Sequence, residues 1–168
     1  VVAACGSDQL VVASLDGVVE RTVDHACPTG VAENPDTGLL YVSEAQGHIN
    51  VLDARSLKRV TSFGSYGQED GHPPEPAKLA VRSNRLYVAD RGAHRIQVWD
   101  VNTNTYVASI GREFAKPEAV ATSADRLFVA DSENHRIQVF DLTYRFMFAF
   151  GKKGKKNGKR CEVTSPSW

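Results

Sequence analysis

Two fifteen-residue stretches of the chain are nearly the same: LYVADRGAHRIQVWD, from Leu86 to Asp100, and LFVADSENHRIQVFD, from Leu127 to Asp141. Val88-Ala89-Asp90 returns as Val129-Ala130-Asp131, and His94-Arg95-Ile96-Gln97-Val98 returns as His135-Arg136-Ile137-Gln138-Val139, 41 positions later. A fainter copy, LLYVSEAQGHINVLD, runs from Leu39 to Asp53, and the faintest, QLVVASLDGVVERTVD, from Gln9 to Asp24. A unit that recurs at such a period cannot bury its apolar side alone, so it must stack on its own copies.

Within each copy the pattern is that of strands. Ile96 and Val98 alternate with Arg95, Gln97 and Trp99, and Val, Ile, Tyr and Phe dominate the runs. Gly, Asn and Asp gather between them, as in RGAH, SENH, DVNTNT and ENPDTG. Each unit then reads as four strands: AKLAV or EAVAT, RLYVAD or RLFVAD, RIQVWD or RIQVFD, and YVASIG or FMFAFG. Four short strands every forty-odd residues is the period of a β-propeller blade. The expected class is all-β.

The succession of a proline, a G-V-A strand, L-Y-V-A-D, a short loop, H-R-I-Q-V-F-D and a closing F-G-x-x-G resembles the NHL repeat. The resemblance implies an NHL-type β-propeller, commonly six-bladed in that family, whereas this chain accounts for about four. The expected blades are residues 1–29, 30–76, 77–117 and 118–151, followed by a basic crossover loop and tail, 152–168. VVAA at the start reads as a first strand. The first blade then lacks an outer strand, for which the tail CEVTSPSW is the expected clasp. Four blades of this geometry suggest an open arc, completed by a second copy in a homodimer ahead of a fragment or a tight four-blade ring.

Twenty basic and twenty acidic side chains cancel, so no overall field draws the chain to nucleic acid or an anionic membrane. No apolar run approaches a membrane span, and the N-terminus lacks the basic region of a signal peptide. Cys5, Cys27 and Cys161 have no metal or redox spacing. They read as buried free thiols, with a slight lean to the cytoplasm; an extracellular chain with one disulfide and one spare thiol is the alternative, and the compartment stays unassigned.

The repeated His-Arg pair has two readings. Asp90 with Arg95, and Asp131 with Arg136, can pair across a turn as blade architecture. Alternatively, His94 and His135 line a metal or general-base site. A catalytic site is normally a single constellation, so two equal copies favour architecture. Asp53, Asp100 and Asp141, each ending a third strand, read as turn residues accepting backbone N–H bonds. A propeller lyase family related to these repeats holds zinc with histidines ahead of G-V-A. Here those places carry Thr29, Ala77-Lys78 and Glu118. A metalloenzyme of lyase or hydrolase type is therefore the remote alternative, with no cofactor, metal or catalytic residue assigned.

The expected function is non-catalytic binding of a protein partner on the loop face, because loops on a rigid support carry recognition. The sharpest charge feature is KKGKKNGKR, six cations in nine residues: Lys152, Lys153, Lys155, Lys156, Lys159 and Arg160. With Tyr66, Arg91, Arg112 and Phe114 they form the candidate recognition set. Binding of single-stranded RNA by the basic loop is the alternative, with the aromatics as stacking platforms.

Overall fold

Every described element is a strand, and the strands fall into four antiparallel sheets. The computed structural model describes residues 2–4, 8–111, 113–153 and 163–164. The first sheet holds β1 (Val2–Ala4), β2 (Gln9–Ala13) and β3 (Val19–Asp24), and the second β4 (Pro28–Asn34), β5 (Leu39–Glu44), β6 (Ile49–Asp53) and β7 (Arg59–Phe63). The third holds β8 (Pro76–Arg82), β9 (Arg85–Asp90), β10 (Arg95–Asp100) and β11 (Thr105–Ile110). The fourth holds β12 (Pro117–Thr122), β13 (Arg126–Asp131), β14 (Arg136–Asp141), β15 (Phe146–Phe150) and a short β16 (Val163–Thr164). The sheets stack as the blades of a β-propeller.

The inner strands stack in sequence, β4 on β8 and β8 on β12, while β5 also reaches β8 and β9 reaches β12. Among the described residues no comparable packing joins the fourth sheet to the first, so the blades form an open arc. The core lies between blades because both faces of an inner blade are apolar. Tyr41, Ile49 and Val51 of the second blade meet Leu79, Leu86, Val88 and Trp99 of the third. On the third blade's other face, Tyr87, Ala89, Ile96 and Val98 meet Val120, Leu127, Val129 and Phe140 of the fourth.

Asp90 and Asp131 are fully buried. Asp90 accepts hydrogen bonds from Arg95 Nε at 3.1 Å and Gln97 Nε2 at 2.9 Å. The Arg95 guanidinium then grips the loop arriving from the second blade, at Asp70 Oδ1 (2.7 Å), Glu69 O (2.6 Å) and Gln68 O (3.3 Å). Asp131 repeats the arrangement with Arg136 Nε at 2.7 Å, Gln138 Nε2 at 2.9 Å, Asn134 Nδ2 at 2.9 Å and the Ala115 N–H at 2.7 Å. Arg136 Nη2 donates to Glu113 O at 3.1 Å. The Asp-Arg pair is blade architecture that fastens each crossover loop to the blade it enters.

The histidine of the pair serves the next crossover. His94 has φ +54°, and its Nδ1 accepts the N–H of Lys116, the residue before Pro117, at 3.0 Å. Asp8, with φ +50°, does the same in the first sheet, its Oδ1 accepting the N–H of Cys27, the residue before Pro28, at 2.9 Å. Asp8 therefore stands where His94 stands, which resets the numbering of the first blade. The β2–β3 ladder breaks between Val12 and Ala13, as β10–β11 breaks between Val98 and Trp99 and β14–β15 between Val139 and Phe140. β1 packs on β4 as β5 packs on β8. β1, β2 and β3 are thus second, third and fourth strands. Val2–Ala4 is a second strand rather than a first, and the described strands of the first blade include an outer strand but no innermost one.

The described part of the tail, Val163–Thr164, joins the fourth blade rather than the first. β16 pairs with β15, Ala149 opposite Thr164 and Phe150 opposite Val163, adding a strand to the outer edge of the fourth blade. First strands begin on Pro28, Pro76 and Pro117, one or two residues ahead of the expected boundaries. Cys27 is disulfide-bonded, which corrects the reading of free thiols and removes the support for a cytoplasmic lean, since disulfides persist in oxidising compartments. Cys5 and Cys161 lie outside the described residues.

The third-strand aspartates cap turns as expected. Asp100 accepts from the N–H groups of Asn102 and Thr103, Asp53 from Ser56, and Asp141 from Thr143 and Arg145. The first-named partner in each case, or the Thr143 hydroxyl for Asp141, holds the carboxyl below its ordinary value. At Asp131 burial opposes ionisation, but the bonds from Ala115, Asn134, Arg136 and Gln138 outweigh it and lower the pKa. A pKa lowered by folding contributes stability above the unfolded value, about 4, and loses it as pH falls through the folded value. The urea midpoint is expected to hold near neutrality and drop below about pH 4. Arg95→Ala leaves a buried carboxylate short of its charged partner and frees the crossover loop. A loss of about 3 kcal/mol in denaturant unfolding is expected, against a small loss for Arg59→Ala on an exposed strand.

Candidate functional site

Each described inner strand opens with the same irregularity. The ladder slips between Pro28 and Gly30, between Pro76 and Leu79, and between Pro117 and Ala119. A bulge places two residues against one on the partner strand and re-aims a side chain out of the ladder. The extra residues are Thr29, the Ala77-Lys78 pair and Glu118, all on the face where crossover loops enter.

They line one cleft of about 510 Å3 spanning the second, third and fourth blades, together with Ala45, Glu75 and Arg91. Its floor is tied across blades: Thr29 Oγ1 donates to Pro76 O at 2.7 Å, Ser43 Oγ to Ala77 O at 2.8 Å, and Lys78 Nζ to Thr29 O at 2.8 Å. At Gly30 a Cβ would fall 2.7 Å from Ala77 O, so only glycine permits this approach of the two inner strands. The rim carries both signs of charge. Arg91 lies between two carboxylates, with Nε 3.4 Å from Glu75 and Nη1 3.8 Å from Glu118. All three side chains are about half exposed, so these contacts leave donors and acceptors open to a ligand.

Of the expected recognition residues, Arg91 lies in this cleft. Tyr66, 71% exposed, lies on the loop between the second and third blades. Lys152 and Lys153 are exposed where the chain leaves β15. Phe114 is a correction: it is 5% exposed and packs on Phe140, ring centroids 5.8 Å apart, within the core between the third and fourth blades. A crossover loop between two apolar faces contributes its aromatic residue to them rather than to solvent. Arg112, Lys155, Lys156, Lys159 and Arg160 lie outside the described residues. Glu75, Lys78, Glu118 and Thr29 were not in the expected set. Thr29, Lys78 and Glu118 share one place in the repeat, just after the first-strand proline, and that recurrence is their only mark in the sequence.

A model of the NHL repeat matches residues 74–99 and 114–140, in the third and fourth blades. Mouse peptidyl-glycine alpha-amidating monooxygenase is 32% identical over 97 residues, covering 52% of this chain and 10% of that protein. The rat protein matches to the same extent, so the chain spans about a tenth of the length of these relatives. Among solved structures, Kuenenia stuttgartiensis hydrazine synthase superposes with a TM-score of 0.66 at 19% identity, over 94% of this chain and 44% of that one. The RRP9 WD40 repeats give 0.66 at 20% identity, over 89% and 46%. The computationally designed Ika4 protein gives 0.59 at 19% identity, over 83% and 91%. At such identities the superpositions speak to the fold alone.

Proposed function

We propose, from the match of the third and fourth blades to the NHL repeat, that the crossover face is a recognition surface for a protein partner, engaged through the inter-blade cleft. Propeller repeats of this kind commonly mediate protein interactions. The observation that carries the reading is the mixed rim: Arg91 and Lys78 stand beside Glu75 and Glu118 over a floor that is rigid because it is bonded between blades. Two acids and two bases give no field favouring a polyanion. They suit an extended peptide segment bearing both charges and backbone amides, which can replace the open partners of Arg91, Glu75 and Glu118. Tyr66 and the exposed Lys152 and Lys153 extend the same face. A second copy of the chain, joined at the ends of the arc, is the other partner we propose.

RNA recognition rests on the basic run from Lys152 to Arg160 and is the second reading. A catalytic reading draws no support from the tenth of the monooxygenase that the chain matches.

A peptide array of mixed-charge sequences distinguishes these. Wild-type chain is expected to retain a subset of peptides, and Arg91→Ala, at a half-exposed side chain, to weaken them roughly tenfold with unchanged melting. Retention by the variant, or no peptide bound, removes the cleft as the site. A short single-stranded RNA shifted at low salt and released toward physiological salt would put RNA in the partner's place.

A further inference from the structure

The second blade departs from the next two at the contact that holds them together. Its register sets Glu44 where Asp90 stands, His48 where Arg95 stands and Asn50 where Gln97 stands. Ser43 pairs with Ile49 and Val42 with Asn50, as Ala89 pairs with Ile96 and Val88 with Gln97. Asn50 does the work of the glutamine, its Nδ2 donating to Glu44 Oε1 at 2.6 Å. The arginine has no counterpart. His48 turns aside, with Nδ1 3.1 Å from Gly64 O. Among the described residues only His25 comes within ion-pairing distance of Glu44, Nδ1 to Oε1 3.2 Å. That approach is out of line for a hydrogen bond, and His25 Nδ1 is buried without one in a side chain 9% exposed. An imidazole is also no permanent charge, as a guanidinium is.

Loop length leaves the space beside Glu44 open. The crossover from β3 to β4 is three residues, His25 to Cys27, against twelve from β7 to β8 and six from β11 to β12. The two longer crossovers lay backbone carbonyls on the arginine of the blade they enter. Three residues are too few to do so. Between the first and second blades there is instead a cavity of about 310 Å3, lined entirely by described residues. His25, Glu44 and Asn50 give it a polar side, and Val23, Leu52 and Leu57 an apolar one. The exposed Asp24 and Arg59 complete it. Among the described residues no three His, Cys, Asp or Glu side chains come together to hold a metal ion.

We propose that this cavity takes the guanidinium of an arginine side chain from a partner, standing to Glu44 as Arg95 stands to Asp90. Glu44 is 16% exposed, and only its Oε1 accepts a hydrogen bond among the described residues. A carboxylate so far removed from water gains most from a planar donor that can bind it through two N–H groups. The methylene stem of the arginine lies against Val23, Leu52 and Leu57 while the charged head reaches Glu44. Glu44 and Asp24 against Arg59 leave one negative charge for the incoming cation to neutralise. The site lies at a different joint from the crossover cleft and does not depend on it.

Titration of the full chain with the capped tripeptide Gly-Arg-Gly, followed by the NMR signals of the Asn50 side-chain amide and the His25 ring, tests it. Saturable shifts are expected. The citrulline peptide, which keeps the shape and loses the charge, is expected to bind roughly tenfold more weakly or worse, and the lysine peptide, a point charge without the fork, also more weakly. Glu44→Gln, which keeps an acceptor for Asn50, is expected to weaken the arginine peptide by roughly tenfold as well. His48→Arg restores the residue that the next two blades carry. It is expected to fill the cavity, abolish peptide binding and melt no lower than wild type, and it carries the test should Glu44→Gln fail to fold. Absence of saturable shifts, equal binding of the citrulline or lysine peptide, or binding indifferent to both variants overturns the proposal. Free arginine bound much more tightly than the capped peptide overturns the partner's side chain in favour of a small molecule. None of these outcomes bears on the crossover cleft.

Discussion

A carboxylate with no access to water must have its bonds supplied from within, and Asp90 and Asp131 draw theirs from elements that would otherwise be independent. The arginine at the start of the third strand and the glutamine two residues on come from the hairpin partner. The arginine in turn binds the backbone of the incoming crossover loop. Burying one aspartate therefore fixes the hairpin register, the depth of the third strand and the path of the loop together. Without that coupling a four-stranded sheet could slip by two residues and keep its apolar face. The carboxylate sets a single register where the hydrophobic pattern leaves several.

The same logic explains what could be read from the residues. Asp90, Arg95 and Gln97 and their second copies carry the fold in a few letters because their pairing is local, at separations of five and seven residues. Phe114 was misjudged because its environment is made by two blades distant in sequence, and a loop position says nothing about what closes over it. The first blade was misnumbered because alternation identifies a strand but not its rank in a sheet. The clue lay in CGSD, which sets Asp8 where RGAH sets His94, but aspartate and histidine share only an acceptor atom and a tolerance for positive φ. The two-residue β16 has no periodicity to read.

The bulges after Pro28, Pro76 and Pro117 link architecture to recognition. Proline cannot donate to the ladder, so the ladder is free to slip beside it, and the extra residue leaves the sheet on the crossover side. The fold thus turns a side chain of each blade out of the ladder at the inner edge, where Thr29 and Lys78 bond between blades and Glu118 stands on the rim. The blades hold the positions rigid, and the residues placed there set what the cleft can bind.

The histidine of each repeat invites a chemical reading that its geometry argues against. What the position needs is a residue that accepts a positive φ and offers an acceptor to the N–H preceding the next blade's proline. Asp8 meets both needs with a carboxylate, so the imidazole as such is not required for the role. His94 has its Nδ1 engaged in the same way, which leaves Nε2 as its only free ring nitrogen. In His135 no hydrogen bond to the ring is found among the described residues, and the side chain is exposed. One copy bonded to the next blade's backbone and one exposed mark a position of the repeat, which accounts for the duplicated pair without invoking a shared ion.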